Sequence, residues 1–269
     1  MGRFIRDNAA FLSAGLLLTF TSSFGQTFFI SVFSGDIRAA FGLSHGAWGT
    51  IYAVGTFASA VTMIWAGQAT DHFRVRALCL VVLPAFAAAC LAMALVPAAW
   101  LLVPIVFALR LGGQGMTSHI ATVAMARWFV ATRGRALSIA SMGFAIGEAA
   151  LPVTFVALAT LLDWRLLWVL AAGLILAALP VLVRLLTLER TPQSVAAETA
   201  AVGMGDRHWR RGEVLRHWLF WFLVPALLGP AAFGTAFFFH QVHYAETKGL
   251  SHLALVAIFP VYTAGAVAV

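Results

Sequence analysis

The sequence predicts an all-α, polytopic membrane bundle, and three observations carry that expectation. Of its 269 residues, 62% are hydrophobic and only 10% charged, with a mean hydropathy of +0.93, more apolar surface than a soluble domain can bury within itself. Apolar runs long enough to cross a hydrocarbon core of about 30 Å recur along the chain. Two ionisable residues, Arg110 and Glu148, each stand alone near the middle of such a run. An ionised group at that depth is costly, so it finds a partner and marks a pathway.

Taken in order, the runs fall at roughly 9–33, 46–66, 77–97, 99–125, 136–161, 164–186, 218–240 and 252–269, each near the length a spanning helix needs. They read as seven full spans and an eighth cut off by the chain end. Arg3 and Arg6 precede the first run, which is too long for a signal peptide and lacks a small-residue cleavage site; it reads as a retained first helix. With the N-terminus inside, Arg3, Arg6, Arg74, Arg76, Arg127, Arg133, Arg135, Arg184, Arg190, Arg207, Arg210, Arg211 and Arg216 all fall on the inner side, and only Arg38, Arg165 and Lys248 on the outer. That asymmetry is the one expected of a multi-pass protein of the inner (plasma) membrane with a cytoplasmic N-terminus. It also argues against a nucleic-acid partner, because the net charge of +7 is spread over separate loops and forms no stripe.

The longest polar interruption, 187–217, divides the chain into a six-helix transmembrane domain at 1–186, a cytoplasmic linker, and the start of a second transmembrane domain at 218–269. Within the linker, the stretch around Pro192 and Ser194 reads as flexible chain, and WRRGEVLRHW as a basic, aromatic segment lying on the membrane surface. Cys79 and Cys90 share one helix about 16 Å apart at about 1.5 Å per residue. That is too far for a disulfide, and they read as packing residues.

Enzymatic chemistry finds no footing. Intramembrane proteolysis would need a Ser or paired Asp beside a base. Ser118 and His119 are adjacent on a helix and point about 100° apart. Haem binding would need facing His residues on neighbouring spans, and the His residues here lie at different depths. His240 and His243 are close enough in sequence to share a metal, but no third ligand stands at suitable spacing. The chain is therefore expected to be a non-enzyme with no catalytic residue, metal or cofactor.

Polar stripes run along several spans. At about 100° per residue, Arg110, Gln114 and Thr117 share a face of the fourth helix, with His119 roughly opposite. Thr19, Ser22 and Gln26 stripe the first helix, and Tyr52, Thr56 and Ser59 the second. Such stripes face a water-filled cavity or another helix, since lipid leaves their groups unsatisfied. Arg110 and Glu148 lie at nearly the same depth on consecutive helices, which predicts a buried ion pair. Gly143 and Gly147 sit four apart on the fifth helix, a spacing that permits close helix approach.

Short motifs then connect the chain to a known family. GQATDHFRVR at 67–76, between the second and third spans, resembles the loop motif of the major facilitator superfamily in its Gly67, Asp71, Arg74 and Arg76; His72 replaces the first basic residue and Arg74 occupies the second Gly. RLGGQG at 110–115 is similar to the family's Arg, two residues, Gln-Gly pattern, with one extra residue between Arg110 and Gln114. The stretch from Trp128 to Pro152 resembles the passage into helix five, and DWRLLW at 163–168 the beginning of helix six. These matches cover roughly residues 10–186. The family's antiporter motif has Pro after the second Gly, where this chain has Glu148, so antiport is not carried over.

The resemblance implies a six-helix N-domain built of two inverted three-helix repeats, plus one to two helices of the second domain, with a substrate site near the midplane. It implies a monomeric secondary active transporter in lipid that moves a small solute by alternating access, with coupling to protons open. The substrate-binding or coupling residues are then Arg110, Gln114, Glu148, Gln26 and Tyr52, and the gating loop is Gly67, Asp71, Arg74 and Arg76. Gly67 is expected to let a helix end in a left-handed turn, and Asp71 to accept from a nearby helix N-terminus. Arg110 favours an organic anion. Should Glu148 cancel its charge, efflux of amphiphilic or drug-like compounds follows instead; a non-transporting sensor on the same fold is the third reading. The corresponding second-half loop would lie past Val269, so the chain reads as part of a longer transporter.

Overall fold

The computed structural model describes residues 2–187 and 209–268, so the reading of Pro192 and Ser194 lies outside the described residues. Among the described residues, six helices are long and apolar enough to cross a bilayer, or up to eight if each of two bent pairs is one span. The first bent pair, α1, comprises Ala9–Gly25 and Thr27–Phe41. Then come α2 (His45–His72), α3 (Val75–Leu95), α4 (Ala99–Trp128), α5 (Val130–Ala159), α6 (Trp164–Leu185) and α7 (Trp218–Phe239). The second bent pair is α8 (Gln241–Lys248) and α9 (His252–Ala268).

The helix ends follow local chemistry. Gly42, at φ 63°, closes α1 in the left-handed region, and its successor Leu43 donates back to the Arg38 carbonyl at 2.9 Å. Ser44 then caps α2 by accepting from Ala47 N at 3.1 Å. In DWRLLW, Asp163 caps α6 by accepting from Arg165 N at 2.8 Å. The Arg165 guanidinium reaches across to the carbonyls of Ala94 (2.8 Å) and Val96 (3.0 Å), satisfying the end of α3. That motif thus ties two helices together, and α3 and α6 pack along each other.

The packing has an internal symmetry. α1 lies against α5, and α2 against α4. Exchanging the first three helices for the second three turns one pair into the other, as two inverted three-helix units require. Small residues allow these approaches. A side chain at Gly143 would strike the Leu16 carbonyl and Thr19, and one at Gly147 would strike Ser23. The close-packing reading of this glycine pair therefore describes the α1–α5 contact. Aromatic rings fill the centre: Phe29 meets Phe155 at 4.8 Å and Trp168 at 5.4 Å, edge to face. Cys79 and Cys90 are both buried and form no disulfide among the described residues.

The first span differs from expectation in extent and in shape. It continues to Phe41 and bends by 44° at Gln26, whose backbone is extended (φ −84°, ψ 158°). The break releases backbone carbonyls that an unbroken helix would satisfy, deep in an apolar bundle where water does not replace the lost donors.

Candidate functional site

The break in α1 is met by Arg110. Its Nη1 donates to the Gly25 carbonyl at 3.1 Å and to Thr27 Oγ1 at 3.2 Å. Tyr52 supports this arrangement from α2, donating its hydroxyl to Thr27 Oγ1 at 2.9 Å and placing its ring 5.6 Å from the guanidinium. Arg110 is only 4% exposed, and its Nε has no hydrogen-bond partner among the described residues. A close backbone-to-backbone approach enforces the geometry. A Cβ on Gly25 would lie 2.7 Å from Gly113 Cα, so α1 and α4 cross with no side chain between them.

Arg110 and Glu148 do not form the expected ion pair. α1 passes between them, its Gly25 against Gly113 of α4 and its Ser23 against Gly147 of α5. Glu148, 8% exposed, instead accepts from Thr263 Oγ1 of α9 at 3.1 Å. Equal depth on consecutive helices does not suffice when a third helix lies between them. Because the two groups do not touch, Arg110→Ala and Glu148→Ala should destabilise the protein additively. A double-mutant cycle on detergent-solubilised protein should give a coupling below about 0.5 kcal/mol, and a larger value would restore the pair.

Beyond Arg110, α4 opens into a π-helical segment, Leu111–Thr117. An α-helix absorbs a single extra residue as such a bulge, and these bulges recur at functional sites. The additional residue of RLGGQG has its structural expression here. It also shifts the phase of everything that follows. Thr117 turns inward and donates to the Gly112 carbonyl at 2.6 Å, leaving the expected stripe. His119, expected opposite Arg110, comes round to the same cleft.

That cleft, 440 Å³ in volume, is lined by Thr56, Ser59, Ala60 and Met63 of α2 and by Arg110, Gln114, Gly115, Ser118, His119 and Thr122 of α4. Gln114 is exposed and makes no protein hydrogen bond among the described residues, so its amide is open to the cleft. The Gln26 side chain, at the α1 break, is buried and likewise makes no hydrogen bond among them. Thr19 and Ser22 do not serve a cavity. Thr19 donates to the carbonyls of Leu16 and Ala140, and Ser22 to that of Thr19.

The 67–76 turn holds to α4. Gly67 has φ −58° and is not left-handed, which corrects the expected turn geometry. Its missing side chain makes room for His119, whose Nε2 lies 3.2 Å from the Gly67 carbonyl. Asp71 pairs instead with Arg127 at the end of α4, and Arg127 also donates to the Thr70 carbonyl. Arg74 precedes α3 and Arg76 lies in its first turn, both exposed at the same end.

At the opposite end, His243 has neighbours the sequence did not reveal. His45, His243 and Glu246 each bring one potential ligand atom within 4.8 Å of the others. His240 is not among them. Arg38 Nη1 lies 2.9 Å from His45 Nε2, so that ring nitrogen already faces a guanidinium. Further in, Gln241 is fully buried, donates to the carbonyls of Phe28 (2.9 Å) and Phe238 (3.0 Å), and meets His252 Nε2 at 3.3 Å. Gln241 and Thr263 join the later helices to α1 and α5. Nothing about their spacing distinguishes them from ordinary polar residues on a span.

The described residues thus form a multi-pass membrane protein with a polar cleft against a buried guanidinium. A family model described as Major Facilitator Superfamily matches residues 15–269, and the chain belongs to that superfamily of secondary transporters of small solutes. A comparison with curated proteins found no match, and one with solved structures found none.

Proposed function

We propose that this chain moves a small organic anion across the inner membrane by alternating access, with Arg110 as the anion-binding group. The observation that carries this reading is the unbalanced charge of Arg110, which lines the cleft, is 4% exposed and has no ion pair among the described residues. A buried charge without a counter-charge is unfavourable by several kcal/mol. An anionic solute entering beside Gln114 supplies that counter-charge, and a carboxylate matches the guanidinium fork in two parallel hydrogen bonds. The amphiphile-efflux reading relied on Glu148 neutralising Arg110, and Glu148 bonds Thr263 instead.

Gln26 and Tyr52 complete the site from α1 and α2. Glu148, buried between α5 and α9, is the proposed proton-coupling group. The 67–76 turn is the proposed gating element of the end that carries Arg74, Arg76 and Arg127. Its partners His119 and Arg127 ride on the helix that carries Arg110, with the π-helical segment between site and turn. That basic end is proposed to face the cytoplasm, since its arginines follow the charge asymmetry of short inner loops. The division into residues 1–186, 187–217 and 218–269, and the monomeric state, are proposed on the same footing.

The test is thermal unfolding of the protein in lipid nanodiscs with millimolar mono- and dicarboxylates or quaternary ammonium compounds. A solute at a hundred times its Kd should stabilise the folded state by about 2.7 kcal/mol. Stabilisation by carboxylates alone is expected; stabilisation by the cations alone would overturn the assignment. Carboxylate binding without flux in proteoliposomes would make the chain a sensor.

A further inference from the structure

Arg38 near the end of α1, His45 at the start of α2, and His243 and Glu246 on α8 meet at the end of the bundle opposite the basic loops. Arg38 spans the group. Its Nη1 lies 2.9 Å from His45 Nε2, and its Nη2 lies 3.6 Å from Glu246 Oε1. The rings of His45 and His243 are 4.5 Å apart, and His243 Nδ1 is 3.9 Å from Glu246 Oε2. These contacts join the first two helices to the segment that follows α7.

The Arg38–His45 contact fixes a protonation state. A guanidinium has only donors, so the ring nitrogen facing it must offer a lone pair, and an imidazole with a free lone pair is neutral. A second proton, placed on His45 Nε2, removes the acceptor and sets a cation against Arg38. His243 stands beside the same ring, and His240 acts on it electrostatically from the end of α7. Glu246 is the one acid in the group and already serves Arg38 and His243, so it offsets only part of the added charge.

We infer that Arg38, His45, His243 and Glu246 form a proton-sensitive latch, in which proton uptake by His45 is linked to opening of the end opposite the basic loops. The closed contact excludes the proton, so by reciprocity the proton disfavours the closed contact. Acidification on that side therefore opens the latch. This rests on alternating opening of the two ends and not on the chemical class of the solute.

The experiment places spin labels at Ala40→Cys and Leu250→Cys in the full chain, in lipid nanodiscs without added solute, where the native Cys79 and Cys90 are buried. Between pH 8 and pH 5 the long-distance population should grow, the open-to-closed ratio changing by up to about tenfold per pH unit through the imidazole range. His45→Gln keeps an acceptor oxygen for Arg38 but does not titrate, so it should stay closed throughout. His45→Lys carries a fixed charge and should be open at pH 8. Distances unchanged with pH in the parent, or His45→Gln opening as the parent does, would overturn the inference. Should His45→Gln not reconstitute, Arg38→Gln removes the donor and should abolish the pH dependence; its persistence there would be equally decisive against the latch. No solute is present, so loss of the anion assignment leaves this result standing, and the reverse.

Discussion

Arg110→Gln lowers carboxylate transport by about 100-fold or more in proteoliposomes while the protein remains folded. Two charge-assisted hydrogen bonds to the solute, each worth about 1.5–3 kcal/mol, are lost together, and about 1.4 kcal/mol corresponds to a factor of ten. The same change also withdraws the donor from the Gly25 carbonyl, at about 1–3 kcal/mol of stability. Folding must therefore be checked by gel filtration and thermal unfolding before flux is read. Arg110→Lys is the informative companion. It keeps the charge but not the planar fork, and one ammonium does not readily serve Gly25, Thr27 and a carboxylate at once. Its transport should fall between that of the parent and that of Arg110→Gln. Unchanged flux and unchanged carboxylate stabilisation in Arg110→Gln would return this residue to a purely structural role at the α1 break.

Gly113→Leu should prevent the protein from reaching its folded state. A Cβ at this position would lie 2.5 Å from Gly25 Cα and 2.7 Å from Phe86 Cζ. Ordinary overpacking costs about 1–3 kcal/mol because side chains move aside. Here one obstacle is backbone, at the crossing that presents the Gly25 carbonyl to Arg110. Relief requires α1 and α4 to separate, which would also dismantle the site. Gly173→Leu on α6 is the matched control, since that position is exposed and has nothing within 4 Å. Equal recovery and equal thermal stability of the two variants in detergent would show that the crossing is not essential.

The same residues show what was legible beforehand. The apolar runs located the second to seventh spans, since hydrocarbon thickness sets helix length wherever the chain lies. The glycine spacing of Gly143 and Gly147 marked a close contact. The extra residue of RLGGQG was visible, but not its consequence, because a count at about 100° per residue assumes an unbroken α-helix. One π-helical segment displaced Thr117 from the cleft and brought His119 into it.

Composition, span placement, the asymmetry of the arginines and the short motifs are properties of neighbours along the chain, and the sequence alone was enough to establish them. Which group meets which is a property of neighbours in space. The residue order contains no sign that α1 breaks at Gln26, that its freed carbonyl draws Arg110, or that α1 then separates Arg110 from Glu148. Those outcomes follow from the cost of leaving backbone groups unsatisfied in a solvent without hydrogen bonds, and the partner that meets the Gly25 carbonyl comes from a helix far away in sequence.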